Sequence, residues 1–236
     1  MTNPSRQLLP GTVRCVLFDL DGTLTDPVVG ITTCIAHALV AMGAPCPPLE
    51  QLAPFVGPPL RPTFAGLLGV AETDPVVETA VAWYRERFST VGLYENVPYP
   101  GIEEMLGALR SVGLQLFLAT SKPLVFARRI VDHFGMSDHF SGVYGSELDG
   151  RFDDKAELIA HLLATERLAP AECVMVGDRS YDVIGAARNG VAAVGVTYGY
   201  GTETELREAG AAHVCHSVPD LLTFLRDLAT PGGGIG

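Results

Sequence analysis

The sequence predicts an α/β fold, with a parallel sheet covered by helices on both faces and a helical segment inserted after the first strand. Three observations carry this expectation. Short, β-branched apolar runs alternate with longer stretches of helical period. Acidic or hydroxyl-bearing residues directly follow several of those runs. One long segment near the amino terminus breaks the alternation, with helical patterns and no strand.

Residues 13–20 (VRCVLFDL) read as a buried first strand, and 114–120 (LQLFLAT), 173–176 (CVMV) and 191–196 (VAAVGV) read the same way. Helical stretches lie at 102–112, 124–134, 155–165 and 181–189. Pro123 suits the first turn of one helix, while Gly113, Gly135 and Gly190 stand where helices should stop. Strand and helix in alternation imply right-handed crossovers and hence a parallel sheet. The exceptional segment carries helical patterns at 31–42, 60–68 and 75–91, punctuated by Pro45, Pro47, Pro48, Pro54, Pro58 and Pro59. A structureless loop of that length is unusual in a compact domain, so it reads as a helical insert. The expected organisation is a core of residues 1–26 and 97–229, an insert of 27–96, and a disordered Gly-rich tail at 230–236.

Composition narrows the function. Of 236 residues, 47% are hydrophobic and 18% charged, enough to bury a substantial core. Twenty-seven acidic against sixteen basic residues give a net charge of −11, which argues against a nucleic-acid polymer as partner. No apolar run approaches the ~20 residues of a membrane helix, so no membrane role is expected. Residues 1–10 are polar, without the apolar stretch of a secretory signal. The cysteines at 15, 34, 46, 173 and 215 are scattered and form no CxxC pair. Free thiols in a reducing cytoplasm are the simplest reading.

In an open parallel sheet, ligands bind beyond the carboxyl ends of the strands. After the first strand stand Asp19, Asp21, Gly22, Thr23 and Asp26, and after the second Thr120, Ser121 and Lys122. After residues 173–176 come Gly177, Asp178, Arg179 and Asp182. Clustered carboxylates raise one another's pKa unless a cation intervenes. An all-oxygen set without nearby His or Cys favours Mg2+ over Zn2+. One carboxylate could then attack phosphorus, and a second, two residues along an extended chain, points to the same side and could protonate the leaving oxygen. Asp19 and Asp21 have that spacing. The basic residues sharpen this, since fourteen are Arg and only Lys122 and Lys155 are Lys. An ammonium kept at two such places suggests a point charge near a transferring phosphoryl group, although an ordinary first-turn lysine is the plainer reading of Lys155. No GxGxxG follows the first strand and no GxxxxGK[ST] occurs, which removes the dinucleotide and P-loop readings.

These residues lie in four ordered motifs: FDLDGTLTD, LFLATSKP, the lysine of LDGRFDDKAEL, and VGDRSYD. In them the chain resembles the haloacid dehalogenase superfamily, in particular its phosphoglycolate-phosphatase-like and 5'-nucleotidase-like members. The resemblance runs from residue 13 to about 228. It implies a Rossmann-like three-layer core with a helical cap, and a Mg2+-dependent phosphatase acting on a small phosphorylated metabolite. Asp19 matches the nucleophile, Asp21 the acid/base and Thr120 the phosphate-binding hydroxyl. The family position of the lysine, later in the chain and at a helix start, selects Lys155 over its rival Lys122. Mg2+ would be held by Asp19, the Asp21 carbonyl and Asp178, with Asp182 supporting the metal site. Gly22 amides and Ser121 would help Thr120 and Lys155 hold the phosphoryl group.

FVGPPLRPTF, YENVPYPGI and GVTYGYGTETEL are similar to the phosphoglycolate-phosphatase-like branch. Arg61 in the insert reads either as a contact to a substrate anion or as a solvated helix-end arginine. Asp26 reads as a cap, Arg179 as a site residue or a surface ion pair, and Trp83 and Tyr84 as insert core. The six histidines show no metal-ligand spacing. A phosphotransferase or mutase passing the group to a sugar or protein acceptor stays open. Asp21 disfavours a dehalogenase, and the insert disfavours a receiver-like signalling module.

Overall fold

The computed structural model describes Leu8 and residues 11–230; of the expected tail, residues 231–236 lie outside the described residues. The chain divides into two compact units, one formed by the chain up to Leu24 together with the chain from Pro98, the other Thr25–Val97.

The first unit is built on β1 (Cys15–Phe18), all four of whose residues are buried. Its further strands are β4 (Gln115–Pro123), β5 (Gly142–Ser146), β6 (Cys173–Gly177), β7 (Ala192–Val196) and β8 (His213–Cys215). Between Leu24 and Pro98 the chain also makes β2 (Thr25–Asp26) and β3 (Val97–Pro98), which pair as a two-stranded ribbon where the chain leaves and rejoins this unit. The six core strands lie in the order β5-β4-β1-β6-β7-β8. Every neighbouring pair is parallel. The helices of this unit are α4 (Ile102–Ser111), α5 (Leu124–His133), α6 (Lys155–Glu166), α7 (Ser180–Arg188), α8 (Glu203–Glu208) and α9 (Val218–Ala229), which alternate with the strands along the chain.

Burial on both faces explains why the strands read as continuous apolar runs. Cys15 and Leu17 join Phe117, Ala119 and Met175 in one cluster with Ile159 and Leu162 of α6 and Val183 and Ala186 of α7. Val16 and Phe18 alternate to the opposite face and are fully buried there. From β4 and β5 on one side of β1 the chain crosses to β6 on the other. That reversal sets the carboxyl ends of β4, β1 and β6 side by side as the place where a ligand would bind.

The expected strands and helices are present, with several differences. Strands β2 and β3 and helices α8 and α9 were not foreseen, nor were two strands of the six-stranded sheet, β5 (GVYGS) and β8 (HVC). Both are sheet edges, where a short strand with two glycines or only three residues carries little periodic signal. Pro123 does not open the first turn of α5; it is extended (φ −53°, ψ 131°) and closes β4. Trp83 is 37% exposed and meets His37 edge-on, so it is surface and not core, whereas Tyr84 is buried as expected.

The second unit contains α1 (Val28–Ala41), α2 (Leu60–Leu68) and α3 (Pro75–Phe88). Asp26 accepts the Val28 N–H at 3.0 Å from one residue before Pro27, which holds the cap position of α1, so it is a turn residue and not the cap. Asp74 caps α3 by accepting the Val76 N–H at 3.0 Å, with Pro75 at the first helical position. Tyr84 stacks on Phe88 and meets Phe64 edge-on. The returning chain is locked by one polar knot. Arg87 holds Glu95 through two bonds of 2.7 and 2.9 Å. Thr33 Oγ1 donates to the same carboxylate at 3.1 Å, and the Glu95 carbonyl accepts the Gly30 N–H at 2.9 Å. The Arg87 hydrogen bonds hold the Glu95 carboxyl below its usual pKa, against the opposing effect of burial.

A carboxyl depressed in the folded state adds stability above its unfolded pKa and loses it as pH falls through the folded value. Glu95→Gln is therefore expected to lower the unfolding free energy by about 1–2 kcal/mol at pH 7. The difference from wild type should shrink between pH 5 and pH 3, as read by paired urea titrations.

Candidate active site

The site grows from the carboxyl ends of the central strands. The ladder continues one residue past β1, where the Asp19 N–H donates to the Val176 carbonyl at 2.9 Å, so Asp19 leaves the sheet extended. The chain then turns sharply through Gly22 at φ +83°. Asp178 follows β6, and Asp182 lies in the first turn of α7, its Oδ2 accepting the Arg179 N–H at 3.2 Å. Lys155 is the first residue of α6, behind the capping Asp154.

Asp19, Asp178 and Asp182 each offer an oxygen within 4.8 Å of the others. The Lys155 ammonium stands 2.8 Å from Asp19 Oδ1, 2.8 Å from Asp182 Oδ1 and 2.9 Å from the Ala119 carbonyl. It thus ties the end of β4 to the acids of β1 and α7. Lys122 enters as well, its Nζ 2.7 Å from Asp21 Oδ2. Lys122 and Lys155, weighed as rivals in the sequence, meet different carboxylates.

Burial governs the electrostatics. It pushes the carboxyl of Asp178 well above the usual range, with Asp182 and Asp19 adding to the effect. It also raises Asp21 against the pull of Lys122, and pushes Asp182 up to about 6 against Lys155. For Lys155 burial disfavours the charge, but Asp182 and Asp19 overcome it and the ammonium is held above its ordinary value. Were all four carboxyls ionised, they would face two ammoniums and carry a net double negative charge in this buried site. Asp178 Oδ1 and Asp21 Oδ1 are buried without a hydrogen-bonding partner. Carboxyls that resist ionisation together, and orphaned carboxyl oxygens in an all-oxygen donor set, fit a hard divalent cation. Among the described residues this is the only group of three or more His, Cys, Asp or Glu so disposed, and no histidine belongs to it.

Two glycines seat Asp178. A Cβ on Gly22 would fall 2.1 Å from Asp178 Oδ2, and one on Gly199 would fall 2.5 Å from the same oxygen. The Tyr200 N–H donates to that oxygen at 2.8 Å. This loop after β7 was noted in the sequence only as a similarity. The rule applied to the first strands, that polar or Gly-rich residues after a strand belong to the site, would have found it.

Thr120 is buried at the last regular position of β4 before its register shifts, and its Oγ1 accepts the Lys122 N–H at 3.2 Å. The carbonyl of Ser121 accepts the hydroxyl of Ser146 at 2.9 Å. Arg179 pairs with Glu205 at 3.1 Å. Arg61 lies in the helical unit, near the start of α2, with its guanidinium on Glu78 at 2.5 Å.

Comparison with known proteins places this arrangement. Residues 16–196 match the haloacid dehalogenase-like hydrolases. A 5'-nucleotidase of Pseudomonas aeruginosa is 52% identical over 210 residues, which cover 89% of this chain and 94% of that protein. The tyrosine-protein kinase PtkA of Mycobacterium tuberculosis is 41% identical over 204 residues, covering 86% and 69%. The crystal structure of a predicted phosphatase from Clostridium acetobutylicum aligns with a TM-score of 0.86 at 39% identity, covering 90% of this chain and 98% of the other. With this match across most of its length and this fold, the chain belongs to the haloacid dehalogenase-like hydrolase family and is an enzyme of that class.

Proposed function

We propose that the chain is a Mg2+-dependent phosphatase that hydrolyses a small phosphate monoester through an aspartyl phosphate on Asp19. The observation that carries this reading is the position of the Asp19 carboxylate, which shares one buried site with Asp178, Asp182 and the Lys155 ammonium. Asp19 attacks phosphorus, forming a new O–P bond as the bond to the alcohol breaks. Asp21 gives its proton to the departing oxygen, and burial, which raises its pKa, favours the protonated form this requires. In the second half Asp21 takes a proton from water, which attacks the phosphoryl group, releases inorganic phosphate and regenerates Asp19.

Thr120, Ser121, main-chain amides at Gly22 and the Lys155 ammonium hold the phosphoryl oxygens. Asp19, the Asp21 carbonyl and Asp178 would hold the Mg2+, with Asp182 supporting, and the bound cation would neutralise charge on the transferring group. The helical unit serves as the cap and Arg61 as its contact to the substrate. A substrate anion would compete with Glu78 for that guanidinium. The net charge of −11 suits a small metabolite better than a nucleic-acid polymer. Four buried cysteines suit the cytoplasm. No described helix is long and apolar enough to cross a membrane.

One observation favours a second reading, transfer to an acceptor other than water: the 41% identity with a protein named as a tyrosine kinase. Product analysis with and without sugar or tyrosine acceptors separates the two. The main reading predicts inorganic phosphate as the sole phosphorylated product.

Asp19→Asn is expected to reduce Mg2+-dependent hydrolysis across a panel of phosphorylated metabolites to the level of the buffer blank. Retained turnover would refute the assignment. Mg2+ at about a hundred times its dissociation constant is expected to raise Tm by about 5 °C. Asp178→Asn should abolish that rise in the same thermal scan.

A further inference from the structure

Lys122 is the second buried ammonium at this sheet edge, with a side chain only 5% exposed. Its partner is Asp21, through Oδ2 at 2.7 Å. The other oxygen, Oδ1, is buried and has no hydrogen-bonding partner. The two oxygens of one carboxyl group are thus made chemically unequal, one engaged by a cation and one open.

The local fold is arranged to bring Lys122 there. The pairing of β4 with β5 is regular to Thr120, then shifts register before Pro123. The irregular residues are fixed on three sides. Thr120 Oγ1 accepts the Lys122 N–H, and Ser146 donates to the Ser121 carbonyl at 2.9 Å. Gly145 lies so close that a Cβ on it would stand 2.6 Å from the Lys122 carbonyl. In a chain with fourteen arginines, a lysine is found at each point where a compact cation meets these buried aspartates.

We propose that Lys122 is a positioning residue for proton transfer: by holding Asp21 Oδ2 it leaves Oδ1 as the oxygen that hands the proton to the leaving alcohol. This rests on the phosphatase reading above. As the P–O bond breaks, its electron pair passes to the leaving oxygen, which takes the proton from Oδ1. The carboxylate left on Asp21 keeps its contact with the Lys122 ammonium. In the hydrolytic half, Oδ1 takes a proton back from the attacking water.

Leaving-group dependence tests this. An alkyl monoester such as glycerol phosphate needs protonation of its poor leaving group, whereas p-nitrophenyl phosphate releases a stable phenolate. Lys122→Met is expected to lower kcat/KM for the alkyl ester by roughly a hundredfold or more, and for the aryl ester by less than about tenfold. Equal losses on both esters, or a change confined to KM, would overturn the proposal and assign Lys122 to phosphate binding or to structure. Should Lys122→Met fail to fold, Asp21→Asn/Lys122→Met removes both charges together and is compared with Asp21→Asn. The added change is expected to cost less than about threefold on the alkyl ester, because the two residues act as one unit. A further large loss in that background would overturn the proposal. Wild type hydrolysing both esters, and Asp19→Asn neither, secures the underlying reading separately; a wild type inactive on both would remove that reading and this inference with it.

Discussion

Four carboxylates gathered at one buried sheet edge repel one another, and the arrangement depends on the ammonium of Lys155 that bridges two of them. Lys155 reaches Asp19 and Asp182 at 2.8 Å each and anchors on the Ala119 carbonyl, so one side chain joins β1, β4 and α7. Its own burial would disfavour the charge, and the two acids are what keep it charged. The dependence is mutual. Removing either side would leave an ion in the interior without a counter-charge, a cost of several kcal/mol.

The fold supplies the convergence at little expense in local strain. Parallel strands place their carboxyl ends on one edge, and the reversal of strand order about β1 brings three of those ends together. Glycine completes the packing where side chains cannot fit. Gly22 has a positive φ and meets Asp178 so closely that the acid occupies the space of its missing Cβ. The helical unit is held by a different device, the Arg87–Glu95–Thr33 knot, which closes its returning chain onto α1 and α3. Each unit therefore has its own polar lock around its own apolar packing.

Family membership and geometry constrain the chemistry from two directions. The family of hydrolases sets the class of reaction. The site's geometry distributes the charges: one ammonium on Asp19 and Asp182, another on Asp21, and an orphaned oxygen on Asp178. Asp19 and Asp21, two residues apart across a bend at Leu20, each have their own counter-cation.

The alternation of apolar runs determined the parallel sheet, because strands buried on both faces must be apolar throughout. The residues just after those runs named most of the site, because parallel strands end on one edge. Both signals are local, and they faded where structure is local in no such way. β5 and β8, short edge strands, left almost no periodicity to read. Lys122 and Lys155 looked like rivals because a sequence records position but not direction. The register shift after Thr120 turns Lys122 toward Asp21, while the start of α6 delivers Lys155 to Asp19. The placement of Gly199 and Tyr200 against Asp178 was likewise decided in three dimensions, since close approach of two loops depends on packing and not on the composition of either.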